Sequence, residues 1–78
     1  MITIDFALRG SKTLTDFLLD SLKHQILDGT LCENEKLPSK RNLSEHLGIS
    51  VITVQNAYAR LIDEGYIYSI VKKGFFVF

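Results

Sequence analysis

Gln55 and Asn56 are neighbouring amides, and each can donate and accept at once, the bidentate pattern that matches N6 and N7 on the edge of an adenine. Just before them, Ser50, Val51, Ile52 and Thr53 supply two hydroxyl-bearing and two β-branched apolar side chains, and the apolar pair suits the methyl group of a thymine. A second group, Pro38-Ser39-Lys40-Arg41, sets a hydroxyl and two cations where a helix can begin, and free N–H groups at such a start favour phosphate. Lys72-Lys73-Gly74 forms a third, basic group. Together these are the residue types of a surface that grips a polyanion and inspects base edges.

Other chemistries lack their residues. His24 and His46 fall in different predicted helices, Cys32 is the one cysteine, and no spacing of histidine, cysteine and carboxylate resembles a metal set. Cys32 has no basic neighbour close in sequence to activate it, and the five glycines are scattered, so no phosphate-cradling loop is present. We assign no catalytic residue and no metal ligand, and expect no cofactor in this chain and no enzyme activity.

Seventy-eight residues make one small domain, too small to build a pocket with catalytic groups from several elements. A single cysteine forbids an intrachain disulfide, which points to the reducing cytoplasm. No uncharged run approaches a membrane span, and Asp5 and Arg9 interrupt the N-terminus where a signal peptide is apolar. Nine basic residues balance nine acidic ones, but unevenly along the chain. Residues 1–35 hold three basic against six acidic residues, and residues 36–78 hold six against three. The second part can face a polyanion.

The elements that must position these groups follow from apolar spacing. Ile2, Ile4, Phe6 and Leu8 alternate with polar or small residues, so residues 1–11 read as an N-terminal arm or short strand. Leu14, Phe17, Leu18, Leu22, Ile26 and Leu27 recur at three and four, predicting a helix over 14–28 with Thr13 and Asp16 as a capping box and Gly29 as its stop. A short helix follows Ser39, with Leu43 and Leu47 buried and Gly48 ending it. Val54, Ala57, Tyr58, Leu61 and Ile62 mark the buried face of a third helix over about 51–64. Tyr66 to Phe78 turns β-rich around Lys72-Lys73-Gly74, a hairpin over about 66–78. The fold class is mainly α with a small β-hairpin (α+β): three helices plus a wing, a winged helix-turn-helix over residues 12–78.

Each group also has a plain structural use. Val51 and Ile52 can pack on the wing or on another subunit, Ser39 can serve only as a cap, and Lys72 and Lys73 can guard an edge strand. The aromatic cluster of Tyr66, Tyr68, Phe75, Phe76 and Phe78 is explained mostly by packing of the wing rather than by base stacking.

Leu37-Pro38-Ser39-Lys40-Arg41, Leu43-Ser44-Glu45-His46-Leu47-Gly48-Ile49-Ser50, Thr53-Val54, Ala57-Tyr58, Leu61, Glu64-Gly65-Tyr66-Ile67 and Gly74-Phe75-Phe76-Val77 resemble the N-terminal domain of GntR-family bacterial regulators. The resemblance implies a DNA-binding domain for a double-stranded operator, acting as a homodimer in the full-length protein. It implies contacts from Ser39, Arg41, residues 50–53, Gln55 and the wing around Gly74. Ala57-Tyr58, Gly65-Tyr66-Ile67-Tyr68, Lys72-Lys73-Gly74 and the opening Thr3-Ile4-Asp5-Phe6 are most similar to the MocR branch, with the YtrA branch second. MocR members carry a pyridoxal-phosphate effector domain after the wing; by that resemblance this chain is the DNA-binding head without it. The family usually has arginine or another polar residue at the positions of Val51 and Ile52, and often arginine at that of Gln55. That departure implies an A·T-leaning site and a weaker electrostatic grip.

Overall fold

The computed structural model describes residues 2–78. Three helices, α1 (Leu14–Leu27), α2 (Lys40–Leu47) and α3 (Val51–Asp63), precede a hairpin of β1 (Ile67–Ile70) and β2 (Gly74–Val77). Each helix begins where a hydroxyl replaces the missing intrahelical acceptor. Thr13, Ser39 and Ser50 each accept from the backbone N–H three residues on, at 3.1 Å. Gly48 ends α2 in the left-handed conformation (φ +69), which lets the chain turn within three residues into α3.

α3 is the central element and packs against α1, α2 and β1. Its Val54, Ala57, Tyr58 and Leu61 are fully buried among Leu18, Leu19 and Leu22 of α1, Leu43 of α2, and Ile67 and Val77 of the hairpin. Two residues assigned to the core lie outside it. Leu27 is 74% exposed and Ile62 38%. At 100° per residue, Leu27 stands about 140° around the axis from Leu22, the centre of the buried stripe of α1, and Ile62 about 80° from Val54. By the same geometry Leu19, about 60° from Leu22, is buried although it falls outside the predicted spacing. Leu47 is half-buried rather than buried.

The arm is not a strand. Asp5 accepts from the Ala7 N–H at 3.0 Å and caps a 3-10 turn over Phe6–Leu8, a local bond that competes with extended pairing. The arm is nevertheless held. Ile2 is buried, its carbonyl accepts from Nε2 of His46 on α2 at 2.9 Å, and Phe6 packs on Phe17 with ring centres 5.7 Å apart.

The hairpin pairs Ile67 with Val77 and Ile70 with Gly74, leaving Val71, Lys72 and Lys73 as its turn. A short segment before α2 adds to its free edge: Asn34 and Leu37 donate to the Val77 and Phe75 carbonyls at 2.8 Å, and Val77 donates to that of Glu35 at 2.9 Å. This edge contact had no signature in the sequence. It brings the start of α2 to the base of the wing.

Candidate nucleic-acid interface

The capping of α3 decides what its first turn can offer. Ser50 Oγ accepts from the Thr53 N–H, and the two hydroxyls lie 2.8 Å apart in a hydrogen bond of their own. Whichever oxygen donates within that pair, one O–H remains to point outward. Ser50 and Thr53 thus combine a cap with a single free donor. Val51, Ile52, Gln55 and Asn56 all reach solvent; Ile52, Gln55 and Asn56 stand on the side of α3 away from Val54 and Leu61, and Val51, about 60° from Val54, borders the buried stripe. Ala59, one turn beyond Gln55, is also exposed and extends the same face. It was missed because a lone alanine carries no chemical signal.

At the start of α2, Ser39 Oγ is committed to the Asn42 N–H, so its hydroxyl acts first as a cap. Helix geometry still leaves the N–H groups of Lys40 and Arg41 without an intrahelical acceptor. Arg41 is exposed, and among the described residues it makes no ion pair. Lys40 differs, because its Nζ lies 5.5 Å from the centre of the Phe75 ring and is partly spent on holding the wing. Pro38 is half-buried, and its carbonyl accepts from the Tyr58 hydroxyl at 2.9 Å. Burial pushes that hydroxyl's ionisation up, so it stays a donor at any physiological pH.

The wing tip is built from Val71, Lys72, Lys73 and Gly74. Lys72 holds φ +66, a left-handed conformation uncommon for a side-chain-bearing residue, and Gly74 holds φ +124. A methyl group placed on Gly74 would stand 3.2 Å from Cε of Lys36, the end of a flexible side chain that a small shift would clear, so φ rather than space favours glycine there. Lys36 thereby joins the wing base, a cation that the sequence pattern did not single out. Lys72 and Lys73 are exposed and, among the described residues, unpaired.

The charges divide by location. Lys12 pairs with Asp20, Lys23 with Glu64, and Arg60 with Asp16 at 3.1 Å, all along α1 and the far end of α3. Asp16 therefore serves Arg60 of α3 through its carboxylate, while its N–H completes the Thr13 cap. Among the described residues, the cations left without carboxylates are Arg9 on the arm and, around α2's start and the wing, Lys36, Lys40, Arg41, Lys72 and Lys73. Neither α2 nor α3 has an acidic residue in its first turn. Such a surface attracts phosphate and presents an uncharged helix face between its cations.

Residues 14–77 match the model of a family described as "Bacterial regulatory proteins, gntR family". The chain belongs to the GntR family. It is the helix-turn-helix, DNA-binding type of domain of these transcriptional regulators rather than an enzyme. It is similar to the HTH-type transcriptional repressor NagR of Bacillus subtilis, 40% identical over 60 residues that make up 77% of this chain and 25% of NagR. Among solved structures it is similar to YtrA from Sulfolobus acidocaldarius, a GntR-family transcription factor. That likeness is 36% identity and a TM-score of 0.83 over 97% of this chain and 78% of the other. It is also similar to the DNA-binding domain of AraR in complex with operator ORR3, with 25% identity and a TM-score of 0.78 over 88% and 87% of the two chains. The chain spans 12 to 25% of the length of the curated relatives it matches.

Proposed function

We propose that this GntR domain docks on a double-stranded operator with α3 in the major groove. The N-terminus of α2 lies on the phosphate backbone, and the turn of the hairpin lies on the backbone or in the minor groove beside it. One observation carries the reading: α3 keeps an exposed, uncharged face, and cations without a carboxylate partner among the described residues, Lys36, Lys40, Arg41, Lys72 and Lys73, gather at the start of α2 and the wing, whereas Lys12, Lys23 and Arg60 are paired and Arg9 of the arm stands apart. The AraR domain, similar over nearly its whole length, is seen with an operator. In this docking Arg41, Lys72 and Lys73 set position, Lys40 and the Ser39 cap support them, and Gln55, Asn56 and Thr53 read bases.

The full-length protein acts as a homodimer on two half-sites, in the cytoplasm where the operator is. No helix among the described residues is long and apolar enough to cross a membrane. The arm and wing motifs favour the MocR branch, and the similarity to YtrA over 97% of the chain supports the YtrA branch as the second reading. Pyridoxal phosphate would belong to a MocR effector domain. The lysines here are exposed or engaged with a carboxylate or ring, and none is buried as a Schiff-base lysine needs. The mass of the native gene product separates the branches, the MocR version being several times longer.

Selection of sites from randomised duplex DNA, followed by a salt titration on the enriched pool, tests the proposal. Enrichment of one short motif with a steep salt dependence is expected. The competing reading, a winged helix that binds protein, is favoured by the exposure of Ile52 and the zero net charge. Reversible association with weak, unspecific DNA binding would establish it instead.

A further inference from the structure

The exposed side of α3 carries no formal charge over its first turns. Ile52, Gln55, Asn56 and Ala59 lie within about 100° of one another around the helix axis, and Val51 borders them. Ile52 is 61% exposed and Val51 39%, so two branched apolar side chains stand at the end of the helix that leads into a groove. The hydroxyls on either side of them, Ser50 and Thr53, bond to each other. That bond leaves the two hydroxyls a single free O–H between them.

The geometry points to the C5-methyl group of pyrimidines as the ligand of Val51 and Ile52. The pair reads the methyl rather than a hydrogen-bonding edge, so thymine and 5-methylcytosine are favoured over uracil and cytosine at the same step. This inference rests on the duplex-DNA reading above. Thymine projects its methyl into the major groove, and 5-methylcytosine places one at the same position while keeping its pairing with guanine. Valine and isoleucine have no donor or acceptor with which to tell O4 of thymine from N4 of cytosine. Their discrimination comes from apolar surface removed from water, about fourfold in affinity for each methyl buried. Charge complementarity selects DNA over a second copy as the occupant. Arg41, Lys72 and Lys73 around this face have no carboxylate partner, and a two-fold contact through it would bring like charges together.

The test uses this chain and its selected duplex, with each thymine replaced in turn by deoxyuridine and affinity read by fluorescence anisotropy. Loss of about fourfold at one or two steps is expected, and a 5-methylcytosine·guanine pair there should bind about fourfold tighter than cytosine·guanine. Ile52→Ser and Val51→Ser should erase the thymine-to-uracil ratio while keeping the salt slope and the helical circular dichroism. Equal binding of uracil and thymine at every step overturns the assignment, as does an unchanged ratio in both serine variants. Self-association of the wild type that Ile52→Ser abolishes also overturns it, with a second copy as the occupant. Failure to bind any duplex overturns the underlying DNA reading, an outcome distinct from binding without methyl discrimination.

Discussion

The hydroxyl of Tyr58 donates to the carbonyl of Pro38 at 2.9 Å, tying the middle of α3 to the residue that precedes the cap of α2. The same ring meets Phe75 of the wing edge-on, with centres 4.9 Å apart. One buried side chain therefore fixes three parts of the candidate interface relative to one another: α3, the start of α2 and the hairpin.

Tyr58→Phe keeps the ring contact and removes the hydrogen bond. We expect a stability loss of about 1 kcal/mol in urea titrations and a uniform weakening on all DNA sequences. The variant should also change the pH response. Burial raises the folded phenol above its ordinary value of 10, so the folded chain holds this proton where the unfolded chain has released it. That contribution is intact below about pH 10 and declines as pH rises past it. Tyr58→Phe should show a shallower alkaline decline.

Arg41→Ala should weaken binding to specific and random duplexes alike and lower the salt slope by about one, the mark of a single lost phosphate contact. Lys72→Ala with Lys73→Ala should lower it by about two. All three side chains are exposed and free of ion pairs among the described residues, so the midpoint of thermal unfolding should stay within a few degrees.

Gln55→Ala should act differently. It should relax preference at one or two base pairs, a loss of about 1–3 kcal/mol on the selected site, and leave the salt slope as it was. Parallel titrations on the selected duplex and on single-base variants measure both effects.

Gly74→Ala should destabilise the domain by about 1–3 kcal/mol, because an alanine must adopt φ +124. Lys72→Gly should do the reverse for the fold, since it relieves a left-handed lysine, while still losing one phosphate contact. Opposite changes in stability with a shared loss of DNA affinity would separate the wing's geometry from its charge.

The helices and the hairpin were legible because each carries a local signal: hydroxyl caps at Thr13 and Ser39, three- and four-residue apolar spacing, and glycines at the stops. Leu27 and Ile62 were misplaced because spacing marks a stripe without its width, and the neighbours that bury it set that width. The edge contact of residues 34–37 with β2 is a non-local pairing of a few residues and leaves no period to read. Asp5 defeated the alternation of the arm through one local hydrogen bond. In the candidate site, the residue types of α3 and their exposure are what the sequence and the fold supply. The locking of Ser50 to Thr53, the use of Lys40 on Phe75, and the division of paired from unpaired cations depended on tertiary contacts.

The most direct measurement is a titration of the isotopically labelled 78-residue chain with its selected duplex, followed by amide chemical shifts. The account predicts that the largest changes fall at residues 39–41, 50–56 and 72–74, with Ala59 included and the α1 amides near Leu27 unmoved. Changes concentrated on the arm and α1, with α3 and the wing silent, would contradict it.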